Sequence, residues 1–256
     1  TSTAYVVFGR VGVSDLDLST IVTGATRGFR ILGASSTDNT GSAVSGAGDV
    51  NGDGIDDILI GASGATVGGQ QFAGVVYVLF GNRTAISTPR FDVNLATIVT
   101  GPTTGFRILG IKLNDYTGSA VGRAGDVNGD GIDDFLLGLS NGNQYGRTNA
   151  GTTYVIYGKK VTSSANAWTD FSLTTMSTGS PLGYPIFGSY AQDQSGWSVS
   201  NAGDVNDDGL DDILIGTPGG TGSTGVANPG PGVVYVVFGK PSPYTFINLR
   251  NWKTSA

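Results

Sequence analysis

The strongest constraint on the fold is a block of sequence that occurs three times at nearly constant spacing. Gly-Asp-Val-Asn begins at Gly48, Gly125 and Gly203, and the Asp residues of the three copies are 77 and 78 residues apart. Such a period indicates tandem copies of one structural unit, each packed on the next. We predict a single repeat region over residues 1–256, with units at about 34–110, 111–188 and 189–256 and a partial N-terminal unit at 1–33.

Each unit contains four segments with the pattern of β-strands bounded by turn residues. In the first unit they cover residues 41–49, 57–61, 74–81 and 91–110. The second and third segments are apolar at nearly every position, which indicates strands that are covered on both faces. Gly supplies 43 of the 256 residues and Glu is absent, so turn formers are plentiful and strong helix formers are scarce. The sequence predicts an all-β fold.

Tandem units of this kind predict a β-propeller of four-stranded antiparallel blades. Each blade packs between two neighbours, which explains why its strands are apolar on both faces. The Gly-rich first strand suits the innermost position, where backbones lie close together. A β-sandwich is the alternative, but it accounts for the strands and not for the period.

The predicted blades do not end where the chain ends. Residues 5–9 resemble a third strand without a first or second strand before it, and residues 246–251 resemble the start of a fourth strand. The chain would therefore contain about three and a half blades, whereas closed propellers have about four to eight. Either the chain is part of a longer protein, or another chain completes the partial propeller.

Thirteen of the 20 Asp residues lie in three nine-residue loops that start at the Asp of the repeated block. Oxygen-bearing side chains occupy positions 1, 3, 5 and 9, and Gly at position 6 allows a turn that directs the position 7 carbonyl inward. Four or five carboxylates in nine residues repel one another, so a turn alone does not explain them, whereas a bound cation does. The predicted metal ligands are Asp49, Asn51, Asp53, Ile55 and Asp57 in the first loop, Asp126, Asn128, Asp130, Ile132 and Asp134 in the second, and Asp204, Asn206, Asp208, Leu210 and Asp212 in the third.

The donor set of these loops indicates which cation they bind. Oxygen donors without nitrogen or sulfur favour Ca²⁺ over transition metals, and a flexible loop with many donors favours it over Mg²⁺. We expect three structural Ca²⁺ sites, whose total charge would offset the formal net charge of −6. The position 8 residues are expected to point outward and solvate the turn; they are Asp56, Asp133 and Asp211.

These loops resemble those of the FG-GAP repeat family, which forms the blades of the integrin α-subunit propeller and of related surface proteins. The resemblance includes the Asp-x-Asn-x-Asp-Gly-x-x-Asp loops and the segments that begin at Gly61, Gly138 and Gly216. The family's Phe-Gly pair is replaced by Thr40-Gly41, Thr117-Gly118 and Ser195-Gly196, and the units are longer than usual for the family. The resemblance implies a propeller with calcium ligands at the matching positions, and it implies no particular partner.

The composition excludes several classes of function. The absence of Cys and His removes thiol nucleophiles, zinc sites and Ser-His pairs, and the Asp residues outside the loops form no evident catalytic pair; they include Asp15, Asp17, Asp92 and Asp170. A net charge of −6 disfavours nucleic acid as a partner, and no apolar run is long enough to insert into a membrane. The sequence predicts a protein that is not an enzyme.

Three hypotheses about function remain. The first is a non-catalytic extracellular or cell-surface module for adhesion, which binds a protein or glycan through the long loops at residues 63–72, 141–149 and 217–231. The second is a structural subunit of a surface polymer, in which further copies of the chain are the partners. The third is a propeller attached to a secreted hydrolase. Asn82-Arg-Thr84 is an acceptor sequence for N-glycosylation, and a glycan there would fix an extracytoplasmic location.

Overall fold

The computed structural model describes most of the chain. The described residues are 2–9, 16–24, 27–83, 91–98, 100–101, 103–143, 146–176, 179–220, 230–241 and 246–251. Asp15 and Thr84, which the sequence analysis singled out, lie outside these ranges, as do parts of the loops at 141–149 and 217–231. Within them there is no α-helix, and no helix is long and apolar enough to cross a membrane.

The predicted all-β fold is confirmed. Four short 3₁₀-helices occur in the described ranges, at Leu18–Thr20, Ser164–Asn166, Leu173–Thr175 and Leu249–Asn251. The strands are β1 Thr3–Val7, β2 Gly28–Leu32, β3 Thr40–Gly48, β4 Asp57–Ala62, β5 Val75–Leu79, β6 Val93–Asn94, β7 Gly105–Leu109, β8 Ala120–Gly125, β9 Asp134–Leu139, β10 Thr152–Ile156, β11 Phe171–Ser172, β12 Gly183–Phe187, β13 Ser198–Gly203, β14 Asp212–Thr217, β15 Val233–Val237 and β16 Ile247–Asn248.

The strands form four sheets, which we number in chain order. Sheet I has the order β1-β2-β6, sheet II β11-β7-β5-β4-β3, sheet III β16-β12-β10-β9-β8, and sheet IV β13-β14-β15. In sheets II and III, four neighbouring strands are antiparallel and the two-residue edge strand, β11 or β16, is parallel to its neighbour. The described sheets therefore have three or five strands rather than the predicted four.

The stretch at residues 91–110 was predicted as one strand, and that prediction is wrong. Its first part, β6, pairs in parallel with β2 of sheet I, and its last part, β7, pairs with β5 of sheet II. An ion pair contributes to the attachment of β6 to sheet I: Asp92, which precedes β6, pairs with Arg30 on β2, with 2.6 Å between Arg30 Nη2 and Asp92 Oδ2. The hydrogen bond from the Leu95 N–H to the Leu32 carbonyl, 3.0 Å long, continues this attachment. One segment thus links two sheets.

Apolar side chains between successive sheets form three cores. Ile31 and Tyr77 belong to the core between sheets I and II, and Leu59 and Leu137 to the core between sheets II and III. The neighbouring residue of sheet III, Leu136, faces the other way, into the core with sheet IV. Adjacent residues of β9 thus enter different cores, which accounts for the continuously apolar sequence of this strand.

The first strands of sheets II, III and IV, which are β3, β8 and β13, pack side by side, with β8 between the other two. Gly122 on β8 contributes to this approach, because a Cβ there would lie 2.9 Å from the Val199 carbonyl oxygen on β13. On the second strands, a Cβ at Gly61 or Gly138 would collide with the carbonyl of Gly118 or Gly196 in the next sheet. The first strands therefore lie next to one another, whereas their predicted innermost position in a propeller stays a prediction.

Candidate metal sites

The three Asp-rich loops occupy the same place in three sheets. Each joins the first strand of a sheet to the second, β3 to β4, β8 to β9 and β13 to β14. The Gly that precedes each loop, Gly48, Gly125 or Gly203, has a positive φ of 76°, 77° or 69°. This left-handed conformation turns the chain out of the strand, and Gly adopts it without steric cost.

Side chains at positions 1, 3 and 5 fold back over the backbone of their own loop. In the first loop, the Asp49 carboxylate accepts hydrogen bonds from the N–H groups of Asp53 and Gly54, 3.0 and 2.7 Å long, and Asn51 Oδ1 also accepts one from Asp53. Asp53 accepts one from the N–H of Ile55, which fixes position 7 over position 5. The same bonds occur in the second and third loops, at Asp126, Asn128, Asp130 and Ile132 and at Asp204, Asn206, Asp208 and Leu210.

The Asp at position 9 is completely buried in each loop and joins three parts of its sheet. In the first loop, Asp57 begins β4, and its carboxylate accepts hydrogen bonds from the N–H of Val50 within the loop and from the N–H of Gly81 after β5, 3.0 and 2.8 Å long. Asp134 and Asp212 make the equivalent pairs of bonds, the first to Val127 and Gly158 and the second to Val205 and Gly239.

The electrostatics of the first two loops favour a cation. The pKa of Asp57 is raised to about 7, chiefly by burial; the two amide hydrogen bonds oppose this rise, and the nearby carboxylates of Asp53 and Asp49 add to it. The pKa of Asp134 rises to about 8, again chiefly through burial, with Asp130 and Asp126 adding to the effect. A buried carboxylate beside two others is stabilised in its charged form by a cation in the same loop.

The arrangement of donors can be compared with the needs of a metal ion. Among the described residues, no group of three or more acidic side chains lies close enough together to hold a metal ion as it stands. Each loop nevertheless offers side-chain oxygens at four positions of a nine-residue turn, the type of donor that Ca²⁺ prefers. The carboxylate oxygens that accept one amide hydrogen retain a second lone pair for a metal. The donor chemistry therefore fits Ca²⁺.

The position 8 aspartates were predicted to point outward and solvate the turn, and for two of them this is wrong. The Asp133 carboxylate accepts a hydrogen bond from the main-chain N–H of Asp49 in the preceding loop, 2.9 Å long. Asp211 accepts one from Asp126, also 2.9 Å long. The main-chain N–H at position 1 of the preceding loop thus replaces water as the hydrogen-bond donor to these two carboxylates. Asp56 alone of the three is exposed.

The third loop differs from the other two at position 4. Asp207 has a φ of 60°, where Gly52 and Gly129 have 72° and 78°. An Asp side chain in the left-handed region carries a steric cost that Gly does not. Its carboxylate also adds a negative charge to the loop.

Two aspartates outside the loops are partners of arginines rather than isolated surface residues. Asp92 accepts hydrogen bonds from Arg30, and Asp170, which precedes β11, binds Arg107 on β7 in the same way. Each of these ion pairs attaches a two-residue edge strand to the preceding sheet: β6 to sheet I and β11 to sheet II. Asp17 caps a 3₁₀-helix through the Ser19 N–H. In the described part of the chain, Asp17, Asp92 and Asp170 therefore make structural contacts.

The sequence analysis also missed three aspartates that recur with the same period as the loops. Asp38, Asp115 and Asp193 precede the first strands, and burial raises the pKa of each. Asp115 accepts the Lys112 N–H and Asp193 the Tyr190 N–H, 3.0 and 2.8 Å long. Their spacing of 77 and 78 residues was the available signal. They shape the turns at the end of the sheets opposite the loops.

Comparison with known proteins supports the repeat assignment. The profile of the FG-GAP repeat matches residues 40–79 and 195–237, and each match contains one of the Asp-rich loops. The chain is 31% identical over 173 residues, 66% of its length, to phosphatidylinositol-glycan-specific phospholipase D of Bos taurus, and 28% identical to the enzyme of that name in Rattus norvegicus. It is 28% identical over 141 residues, 53% of its length, to integrin alpha-PS2 of Drosophila melanogaster.

The matched regions are small parts of these relatives. The chain spans 18% and 17% of the two phospholipases and 9% of the integrin subunit. What the relatives share with the chain is therefore the repeat region. Two family matches, three loops of the same pattern and a related integrin α-subunit lead to one conclusion. The chain contains FG-GAP repeats, which lie at residues 40–79 and 195–237.

Proposed function

We propose that the three loops each bind one Ca²⁺, and that the chain is a non-catalytic extracellular FG-GAP module for adhesion or for binding a protein or glycan. The observation that carries the metal proposal is the buried Asp57, whose pKa is raised by burial and by the Asp53 and Asp49 carboxylates beside it. A divalent cation would neutralise this cluster. The proposed ligands are the fifteen residues predicted from the sequence, with the carbonyl oxygen at position 7.

The position of the loops supports a structural role for the metal. Asp57 connects the loop to the end of β5 through Gly81, so an ion held by Asp57 would stabilise three strands of sheet II at once. The charge of Ca²⁺ would supply this stabilisation without a chemical step. No catalytic base stands beside the proposed ligands within the loops, whereas a catalytic metal keeps an open position beside an acid or base.

We also propose that sheets II and III are propeller blades, with sheets I and IV as parts of two more. The support is the meander of four antiparallel strands, with first strands side by side and apolar cores on both faces of sheets II and III. The repeat units at 34–110, 111–188 and 189–256, and the partial unit at 1–33, remain our proposed boundaries.

The ligand-binding surface would be formed by the long loops between second and third strands. These loops, at 63–72, 141–149 and 217–231, recur at the same place in each unit. The related integrin alpha-PS2 supports a role in interactions at the cell surface. Nucleic acid remains an unsuitable partner for a chain with a net charge of −6.

A second function has its own support. The chain is similar to part of phosphatidylinositol-glycan-specific phospholipase D, so it could serve as the accessory region of a larger secreted hydrolase. In that case the catalytic residues would belong to another part of such a protein. Both functions require the same calcium-stabilised repeat region.

Calorimetric titration of the chelator-treated chain with Ca²⁺ tests the metal proposal. We expect binding of about three ions, and at millimolar calcium a stabilisation of about 2.7 kcal/mol per site for a dissociation constant near 10⁻⁵ M. Asp53→Asn should weaken one site and leave two. The matched control is Asp17→Asn, since Asp17 lies outside the loops. Absence of heat of binding, with thermal unfolding unchanged by calcium, would refute the proposal.

A further inference from the structure

A cavity of about 600 Å³ lies between sheets I and II, beside the end of the first Asp-rich loop. Its described walls are mainly apolar and include Phe8 and Phe29 from sheet I, Ile58 and Leu79 from sheet II, and Phe91 before β6. Phe91 is 75% exposed, so the cavity opens to solvent beside it. The volume lies within the range of about 300–1,000 Å³ that is typical of sites for small molecules.

The corresponding place between sheets II and III is filled by the indole of Trp168. This side chain is 2% exposed, and its ring stacks on Phe106 with the centroids 4.4 Å apart. Phe106 is the counterpart of Phe29, because each is the second residue of a Gly-Phe-Arg-Ile-Leu strand, β7 or β2. The neighbouring rings of Phe80 and Phe8 also correspond, with centroids 5.9 Å from Phe106 and 6.1 Å from Phe29. The aromatic wall that binds the indole is therefore retained between sheets I and II.

The cavity exists because the other side chains around it are smaller than their counterparts. Three positions carry a larger apolar side chain in the core between sheets II and III than in the cavity wall: Phe135 against Ile58, Phe171 against Val93, and Leu182 against Thr104. Trp168 stands two residues before Asp170, and the residue two positions before the equivalent Asp92 is Arg90, which lies outside the described residues. The sequence therefore supplies no aromatic ring at the position of Trp168.

Asp56 places a negative charge at the edge of the cavity. It is the only charged residue among the described residues that line the cavity, and it is exposed. The equivalent Asp133 pairs with Arg123 on β8, whereas β3 has Gly46 at the position of this arginine. A carboxylate at this edge favours a positively charged ligand over a negatively charged one.

The core between sheets II and III already combines an aromatic ring with a cation. Nζ of Lys159 lies 4.5 Å from the centroid of the Trp168 ring. Asn82 occupies the position of Lys159 in the wall of the cavity, so the chain supplies no ammonium group there. A ligand with an aromatic ring and its own ammonium group would replace both side chains.

We propose that this cavity binds a small arylalkylamine, a molecule with a planar aromatic ring and a positively charged amine. Its ring would stack on Phe29 as Trp168 stacks on Phe106, and its amine would lie near the Asp56 carboxylate. The inference does not rest on the proposed function. Ile55 is the one proposed calcium ligand among the described residues that line the cavity, and it would bind the ion through its main-chain carbonyl.

Isothermal titration calorimetry with tryptamine and indole-3-propionate, in millimolar calcium, tests the proposal. The two probes have the same indole ring and opposite charges. We expect one molecule of tryptamine to bind per chain, at least about fivefold more tightly than indole-3-propionate, because the carboxylate attracts one probe and repels the other. Asp56→Asn removes this charge and should bring the two affinities to within about twofold of each other.

A substitution that fills the cavity shows where the probe binds. Ile58→Phe introduces the side chain that sheet III has at this position, Phe135, and should weaken tryptamine binding at least about tenfold because the new ring takes the place of the ligand. Leu113→Phe, at an exposed position outside the cavity, is the matched control and should bind tryptamine as the natural chain does. Circular dichroism spectra matching the natural chain would show that the variants fold.

Three results would contradict the proposal. Absence of tryptamine binding to the natural chain, up to the solubility limit of the probe, would overturn it. Binding that Ile58→Phe leaves unchanged would overturn it as well, since the probe would then occupy another part of the chain. A preference for tryptamine that persists in Asp56→Asn would overturn the assigned contact between the amine and the carboxylate.

Discussion

The Asp211 carboxylate accepts a hydrogen bond from the main-chain N–H of Asp126, at 2.9 Å, across the boundary between sheets IV and III. Two residues that are 85 positions apart thereby connect the end of one Asp-rich loop to the start of another. The bond lies beside the core that contains Val127 and Ile213. It gives neighbouring repeats a polar contact in addition to their apolar packing.

Removal of this contact should destabilise the fold. We expect Asp211→Ala to lower the free energy of unfolding by about 1–3 kcal/mol, because a hydrogen bond to a charged group is lost. Asp56→Ala is the matched control, since Asp56 has the same loop position and is exposed. Urea unfolding at low protein concentration measures both. Equal losses for the two variants would show that the bond between sheets contributes nothing.

The left-handed backbone at Asp207 predicts a stabilising substitution. Asp207→Gly should raise the free energy of unfolding by about 0.5–1 kcal/mol, because Gly adopts a φ of 60° without a steric cost. Asp207→Asn separates the backbone effect from the charge, since it removes the carboxylate and keeps the side chain. An equal gain from both variants would assign the effect to charge repulsion.

The ion pair of Arg30 and Asp92 predicts a dependence of stability on pH. The hydrogen bonds from Arg30 lower the pKa of Asp92 to about 2, below the value of about 3.9 for an unfolded chain. A lowered pKa means that the contribution is complete above the unfolded value and is lost as the pH falls through about 2. Asp92→Asn should therefore be less stable than the natural chain at neutral pH.

Thermal unfolding across the acid range provides the measurement for this pair. The difference between the natural chain and Asp92→Asn should narrow as the pH falls below about 4 and should nearly vanish near pH 2. The Arg107–Asp170 pair stays intact in this variant and serves as an internal reference. A difference that is constant over the acid range would contradict the predicted role of Asp92.

Trp168 is predicted to be a major contributor to the core between sheets II and III. It is 2% exposed and stacks on Phe106 with ring centroids 4.4 Å apart and planes at 8°. Trp168→Ala should reduce the free energy of unfolding by about 3–5 kcal/mol. Trp197→Ala, at an exposed position, should change it far less. Comparable effects of the two substitutions on urea unfolding would argue against the packing described for Trp168.

Local features of the fold were predictable from the sequence. Turn residues and apolar runs lie next to each other in the chain, so the strands at 57–61 and 74–81 were placed within two residues of β4 and of β5. The nine-residue loops could be aligned because their Asp, Asn and Gly residues are fixed by the geometry of a single turn. The calcium that they indicate remains a proposal.

Relationships between repeats were decided by the tertiary structure. The sequence showed Asp133, Asp211 and Asp92 but not their partners, which lie 84, 85 and 62 positions away. It also could not show that residues 91–110 divide between two sheets. Such contacts depend on how one sheet packs against the next. The local sequence around each of these residues contains no pattern that predicts its partner. Turn and strand propensities act within a few residues, whereas these pairings result from burial and electrostatics once the sheets are together.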